Sequence, residues 1–214
     1  MMERHSCCAH LRDMVSGNDG FARMPFLPVD QPRLQEVFSM ATPLHMLLKL
    51  HWEAGQFRRF IEERSDSPFA FRDTGFVAFN CAITAFHCAD WAWSAAGQCG
   101  RDRLSDAFAF KASGSRSEIT FYDALEKANR DFFICRQIAN GSKHMRRGKR
   151  NHPIAVSVEY SAERSEREDR YCVDFVIMDG STKLLAVDVF DRMARFWSDL
   201  YFNLGFLEDR FVSP

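Results

Sequence analysis

Two stretches of this chain put groups capable of acid–base and anion chemistry at helical spacing. In "FNCAITAFHCADWAWSA", Asn80, Thr84 and His87 stand at i, i+4 and i+7, with Asp90 one turn beyond, so they share one side of a helix. In "CRQIANGSKH", Arg136, Asn140 and His144 stand at i, i+4 and i+8, again a single stripe. Arginine suits an anion because its planar fork donates two parallel hydrogen bonds. Histidine suits proton transfer because its pKa lies near neutrality. The candidate catalytic set is therefore Arg136 as anion holder and His144 as acid/base, with Asn140 and Lys143 orienting a phosphate. Asp73, Asn80, His87 and Asp90 are the candidate binding residues on the facing helix.

The same stripes have a purely structural reading, and it is the favoured one. A buried polar group costs about 1–3 kcal/mol unless it is hydrogen-bonded. Asp73 or Asp90 would then pair with Arg136, and the histidines would cap backbone groups. His144 near a helix C-terminus is favoured by the helix dipole alone.

Past that helix end, "KHMRRGKRNH" gathers Lys143, Arg146 and Arg147 with Lys149 and Arg150. Such a loop could contact the phosphates of RNA or a nucleotide, with salt-dependent binding. It could equally be a solvated connection balanced by the acidic run at 163–169. Lys+Arg 28 against Asp+Glu 29 leaves a net charge of -1, so nucleic acid could be held only by a local patch of this kind.

Other chemistries find little support. There is no G-x-S-x-G and no Gly-rich phosphate loop. His87 and Asp90 at i, i+3 could share a metal, but a di-metal bundle needs Glu-x-x-His on two helices, and the sequence lacks it. Neither a metal nor a cofactor is expected. The 7 Cys form no C-x-x-C pair and read as reduced thiols, and Cys7, Cys8 and His10 lack a further ligand. The start of the chain has no apolar signal core, and no run long enough to span a bilayer occurs, so a cytoplasmic, non-membrane protein is expected.

Helices must position these residues. Thr42 and Pro43 suit an N-cap and first turn, followed by an apolar stripe of Leu44, Leu47, Leu48, Phe57, Phe60 and Ile61; a short helix precedes them within "QPRLQEVFSM". A second long helix runs from about Arg72 to Gly97–Gly100 and is apolar on most of its circumference. "RDRLSDAFAFKASGSRS" is a helical turn or loop. "EITFYDALEKANRDFFICRQIANGSKH" keeps helical spacing throughout and reads as one third helix.

The period then changes to 2 in "IAVSVEYS" and "YCVDFVIM", with "AERSERED" as the exposed hairpin loop. Asp179-Gly180 turns into a third strand, "TKLLAV". A last helix follows, capped by Asp188 with Asp191 in its first turn. The fold class is mainly α (α+β), an antiparallel helical bundle with a small three-stranded antiparallel β-insert before the last helix. At 214 residues and 46% hydrophobic the chain suits one domain at 31–214, with the insert at about 153–187 and a loose N-terminal arm at 1–30. The apolar second helix makes a homodimer plausible.

"FNCAITAFHCADWAWSA", "FFICRQIANGSKH", the "DGS" turn and "VFDRMARFW" together resemble a group of uncharacterised bacterial helical-bundle proteins with a CR-x-I-A-N-x-x-K-H helix end, over roughly 71–206. The same segment is similar to the HEPN class of helical bundles. That second resemblance implies dimerisation and a metal-independent RNA-cleaving site, with Arg136 stabilising the anion and His144 as acid/base. The expectation that follows is a binding or interaction module with a polar inter-helix cluster; its alternative is a HEPN-like ribonuclease or nucleotide-binding protein.

Overall fold

The structure, a computed structural model, describes residues 42–62, 70–111, 117–143, 154–164 and 169–207. The N-terminal arm, the short helix expected before Thr42, and His144, Arg146 and Arg147 of the basic loop lie outside the described residues. The helices are α1 (Pro43–Glu62), α2 (Ala70–Ala95), α3 (Gly97–Ala107), α4 (Ser117–Ala128), α5 (Arg130–Lys143) and α6 (Ala186–Asn203). Between α5 and α6 lie β1 (Ile154–Arg164), β2 (Asp169–Asp179) and β3 (Thr182–Leu185), an antiparallel sheet in the order β1-β2-β3. The protein is thus mainly helical with a small antiparallel sheet before its last helix.

Small side chains put α2 at the centre. Cys81, Ala82, Ala85, Cys88, Ala89 and Ala92 are all fully buried, and such residues let neighbouring helices approach closely. Helices α1, α5 and α6 all pack on α2. From α6, Trp197 and Tyr201 fill the space that those small residues leave, and the Tyr201 hydroxyl donates to the Cys88 carbonyl at 2.8 Å.

Three local readings need correction. The expected single third helix is broken at Asn129. Its Oδ1 accepts the Phe132 N–H at 3.0 Å, which makes Asn129 the N-cap of α5, while its own N–H still closes α4 onto Leu125 at 2.8 Å. Gly97 does not simply end a helix. Its φ of 57° turns the chain directly into α3, and a Cβ on Gly100 would sit 2.7 Å from that of Ala96. Asp188 is not the cap of α6 but lies in its first turn, because the helix already begins at Ala186 behind Leu185.

The sheet register matches the alternation in the sequence. Val156 pairs with Ile177, Val158 with Phe175 and Tyr160 with Val173, so the alternating apolar positions of the two strands stand opposite one another in register. The strands run further than expected, with Glu163 opposite Arg170 and Arg164 opposite Asp169, inside the stretch read as loop.

A small sheet of this kind is stabilised by packing against helices, and α1 and α6 supply that contact. Phe57 of α1 is fully buried and meets Phe175 of β2 and Phe190 of α6 edge-on, at 5.4 and 5.3 Å between ring centres. At the far end of β2, Arg130 donates to both oxygens of Asp179 at 2.6 and 2.5 Å. Arg192 of α6 likewise grips Asp131 of α5 at 2.7 and 2.9 Å. Truncating Phe57 removes the group shared by α1, β2 and α6. Phe57→Ala should cost about 3–5 kcal/mol in urea unfolding, and an unchanged midpoint would contradict this packing.

Candidate functional site

The stripe on α5 does meet α2, and the two helices run antiparallel. Phe86 lies 6.1 Å from Phe132, whereas Ile138, further along α5, shares a cleft with Gly75 and Phe79 at the start of α2. Arg136 lies 5.9 Å from the Phe86 ring and 5.6 Å from that of Tyr122. The carboxylates facing it come from α4 and not from the expected Asp73 or Asp90. Its Nη1 is 3.3 Å from both Asp123 Oδ1 and Glu126 Oε1, and its side chain is only 20% exposed.

Asp90 serves Tyr122, whose hydroxyl donates to Asp90 Oδ1 at 2.6 Å and also lies against Glu118. Burial, reinforced by these two carboxylates, pushes the Tyr122 hydroxyl well above its ordinary range. The cluster therefore holds one guanidinium among four carboxylates. That balance suits a structural ion-pair network better than a phosphate cradle.

The other expected residues do not converge on this point. From Asp73 to Asp90 the rise along α2 is about 25 Å. Asp73 is exposed and accepts from its neighbour Arg72 at 3.2 Å. Asn80 and Asn140 are exposed, and His87 is half-buried, 5.9 Å from the Phe86 ring. Lys143 is the last residue of α5.

Two polar contacts have no local signature that would pair them from sequence. Thr84, read as part of the α2 stripe, meets Lys49 of α1 at 2.5 Å, and Lys49 also bridges to the buried Glu53 at 2.5 Å. Only the i, i+4 pair Lys49–Glu53 was readable. His51 Nε2 is 2.8 Å from Ser198 Oγ. This is not a nucleophile and its base, since the buried Ser198 hydroxyl already donates to the Ala194 carbonyl at 2.8 Å, so the ring N–H donates to it. Burial lowers the His51 pKa, with Asp191 opposing. The thiols of Cys81, Cys88 and Cys135 are raised, chiefly by burial, and are not reactive nucleophiles.

Among the described residues one open feature of the surface is apolar. A cavity of about 340 Å³ lies between the first half of α2, the sheet and α6. Phe175 and Ile177 of β2 and Phe190 of α6, all buried, line it together with Ile138. Phe76 and Phe79 of α2 and Val156 of β1 stand at its opening, 59%, 45% and 45% exposed. Gly75 keeps one wall low, because a Cβ there would already touch the Phe175 ring at 3.6 Å. The sequence marked this helix as apolar on most of its circumference but could not show that the sheet, docked by Phe57, would leave a gap beside Phe76 and Phe79.

Among the described residues no group of three or more His, Cys, Asp or Glu side chains could hold a metal ion, and no helix is long and apolar enough to cross a membrane. No family model, no curated protein and no solved structure matches the chain.

Two stability predictions follow from the polar contacts. Burial holds the Glu126 carboxyl above its ordinary range while Arg136 works against that shift. Removing Arg136 leaves burial opposed by the Gln137 hydrogen bond alone and raises it further. A raised carboxyl pKa favours folding while the group is protonated, and the advantage disappears as pH rises. Arg136→Ala should therefore lose about 1–3 kcal/mol in urea unfolding near pH 7 and distinctly less near 4.5, the ordinary carboxyl value; an equal loss at both would contradict the pairing. For His51 the sign is opposite. Its folded pKa lies below the 6.5 of the free side chain, so the unfolded chain binds the proton more readily and stability falls as pH drops through that value. A proton NMR titration should place His51 below 6.5, and His51→Gln should flatten this part of the stability profile.

Proposed function

We propose that the protein is a cytoplasmic binding module, that the polar cluster around Arg136 holds the bundle together, and that recognition takes place in the apolar cleft beside α2. The observation that carries this reading is the cavity of about 340 Å³ with buried phenylalanines inside it and two largely exposed ones at its mouth. Ligand sites are concave, mostly apolar and largely preformed, at roughly 300–1,000 Å³. Exposed aromatic side chains gathered in one place cost hydrophobic free energy unless something covers them.

The ribonuclease alternative draws on Arg136, Asn140 and His144 and on the basic loop. It requires Arg136 to exchange Asp123 and Glu126 for a phosphate, with a further carboxylate, Glu118, one hydroxyl away.

A neutral apolar fluorophore, N-phenyl-1-naphthylamine, tests the cleft directly. It should bind the native protein at one site, and Gly75→Leu should abolish binding by filling the gap, without lowering the unfolding midpoint, since leucine is the better helix former. Binding that survives Gly75→Leu would contradict the cleft. A midpoint of binding that moves with protein concentration would indicate a second copy of the chain as occupant. For the alternative, RNA incubated with the protein in EDTA should remain intact. Cleavage that is lost in both Arg136→Ala and His144→Ala, with the fold preserved, would establish the nuclease.

A further inference from the structure

The cleft borders an open strand edge, and the two together narrow the kind of partner, an inference that rests on the binding reading above. β1 is an outer strand of the sheet, 11 residues long, and among the described residues no strand pairs with its other side. Ala155, Val156 and Ser157 are exposed there, and Val156 and Ser157 line the cleft together with Phe76 and Phe79 of α2. Successive residues of a strand face opposite sides of the sheet, so these two both border the cleft only where it reaches the main chain of β1. We propose that the cleft and this edge together bind an extended peptide segment of another protein. The segment adds to β1 as a fourth strand and places large apolar side chains between Phe76, Phe79 and the sheet.

An unpaired edge presents a row of N–H and C=O groups that templates a further strand. Such edges are normally blunted by proline, by charged side chains or by shortness. Beside the cleft, positions 155–158 read Ala, Val, Ser, Val, and the charges of β1 begin only at Glu159. Strand addition draws affinity from main-chain hydrogen bonds and specificity from a pocket that takes alternate side chains. Residues i and i+2 of an added strand face the same side about 7 Å apart. A dry cavity of roughly 150 Å³ admits a benzene ring, so the cavity of about 340 Å³ has room for two side chains of phenylalanine or leucine size. A second copy of the chain fits the edge less well. Antiparallel pairing over the whole of β1 would set Glu159 against Glu159 at its centre, which like charges disfavour, and the exposed pair with Lys183 offsets little of that.

Displacement of bound N-phenyl-1-naphthylamine by a capped peptide tests this, the peptide alternating threonine with phenylalanine and leucine between terminal lysines. It should displace the fluorophore, and Gly75→Leu should abolish binding of both. An added strand turns only one of its edges to β1, so N-methylating every threonine and N-methylating every apolar residue should have unequal effects. One series should weaken displacement by more than about tenfold and the other should stay within about threefold of the parent peptide. Equal effects in the two series would mean that side chains alone are recognised and would overturn strand addition, as would a peptide that leaves the bound fluorophore in place. Either result leaves the apolar cleft standing. Sedimentation showing dimers that the peptide does not dissociate would seat a second copy on the edge and overturn the proposal as well. If neither fluorophore nor peptide binds, the underlying binding reading falls with it.

Discussion

The contact on which the rest depends is the triangle of Phe57, Phe175 and Phe190. A sheet of three strands, one of them only four residues long, gains its stability from packing an apolar face against helices. It is held because Phe57 projects from α1 between β2 and α6, and because Arg130 grips the end of β2. Two of those rings have a second consequence. Phe175 and Phe190 face Phe57 on one side and line the cleft on the other. The packing that anchors the sheet thus also fixes the inner wall of the cavity.

The polar residues inside the bundle follow a common rule. Buried and half-buried charges are paired, two of them from a neighbouring element: Arg136 of α5 by α4 and Asp131 of α5 by Arg192 of α6, while Glu53 is met by Lys49 one turn away on the same helix. Low local dielectric strengthens such pairs and makes a broken one costly. A stripe of Arg, Asn and His on a helix is therefore compatible with catalysis but equally with a bundle that pairs the charges it buries. The geometry around Arg136 favours the second.

How much could be read from the sequence depended on whether the signal was local. Period-2 alternation located β1 and β2 and matched their register, since the alternating apolar positions of both strands stand opposite one another. Periodicity over 20 or more residues located α1 and α2. The break at Asn129 was readable as an N-cap before Arg130 and Asp131, yet the unbroken apolar spacing on either side concealed it. Contacts set by distant parts of the chain were not legible. Nothing near Arg136 points to Asp123 and Glu126 over Asp73 or Asp90, and His51 and Ser198 are separated by 147 positions. The cleft was least legible, because a void is defined by what three elements fail to fill.

The central claim is that recognition occurs at the cleft and not at the Arg136 cluster, and methyl-resolved carbon–proton NMR of the protein titrated with N-phenyl-1-naphthylamine tests it most directly. The account predicts saturable shifts confined to the methyls of Ile138, Val156 and Ile177, which line the cleft, with Leu104 and Leu125 in the core unmoved. Shifts centred on Leu125 and Ala124, beside Asp123 and Glu126 on α4, with the three cleft methyls still, would contradict it.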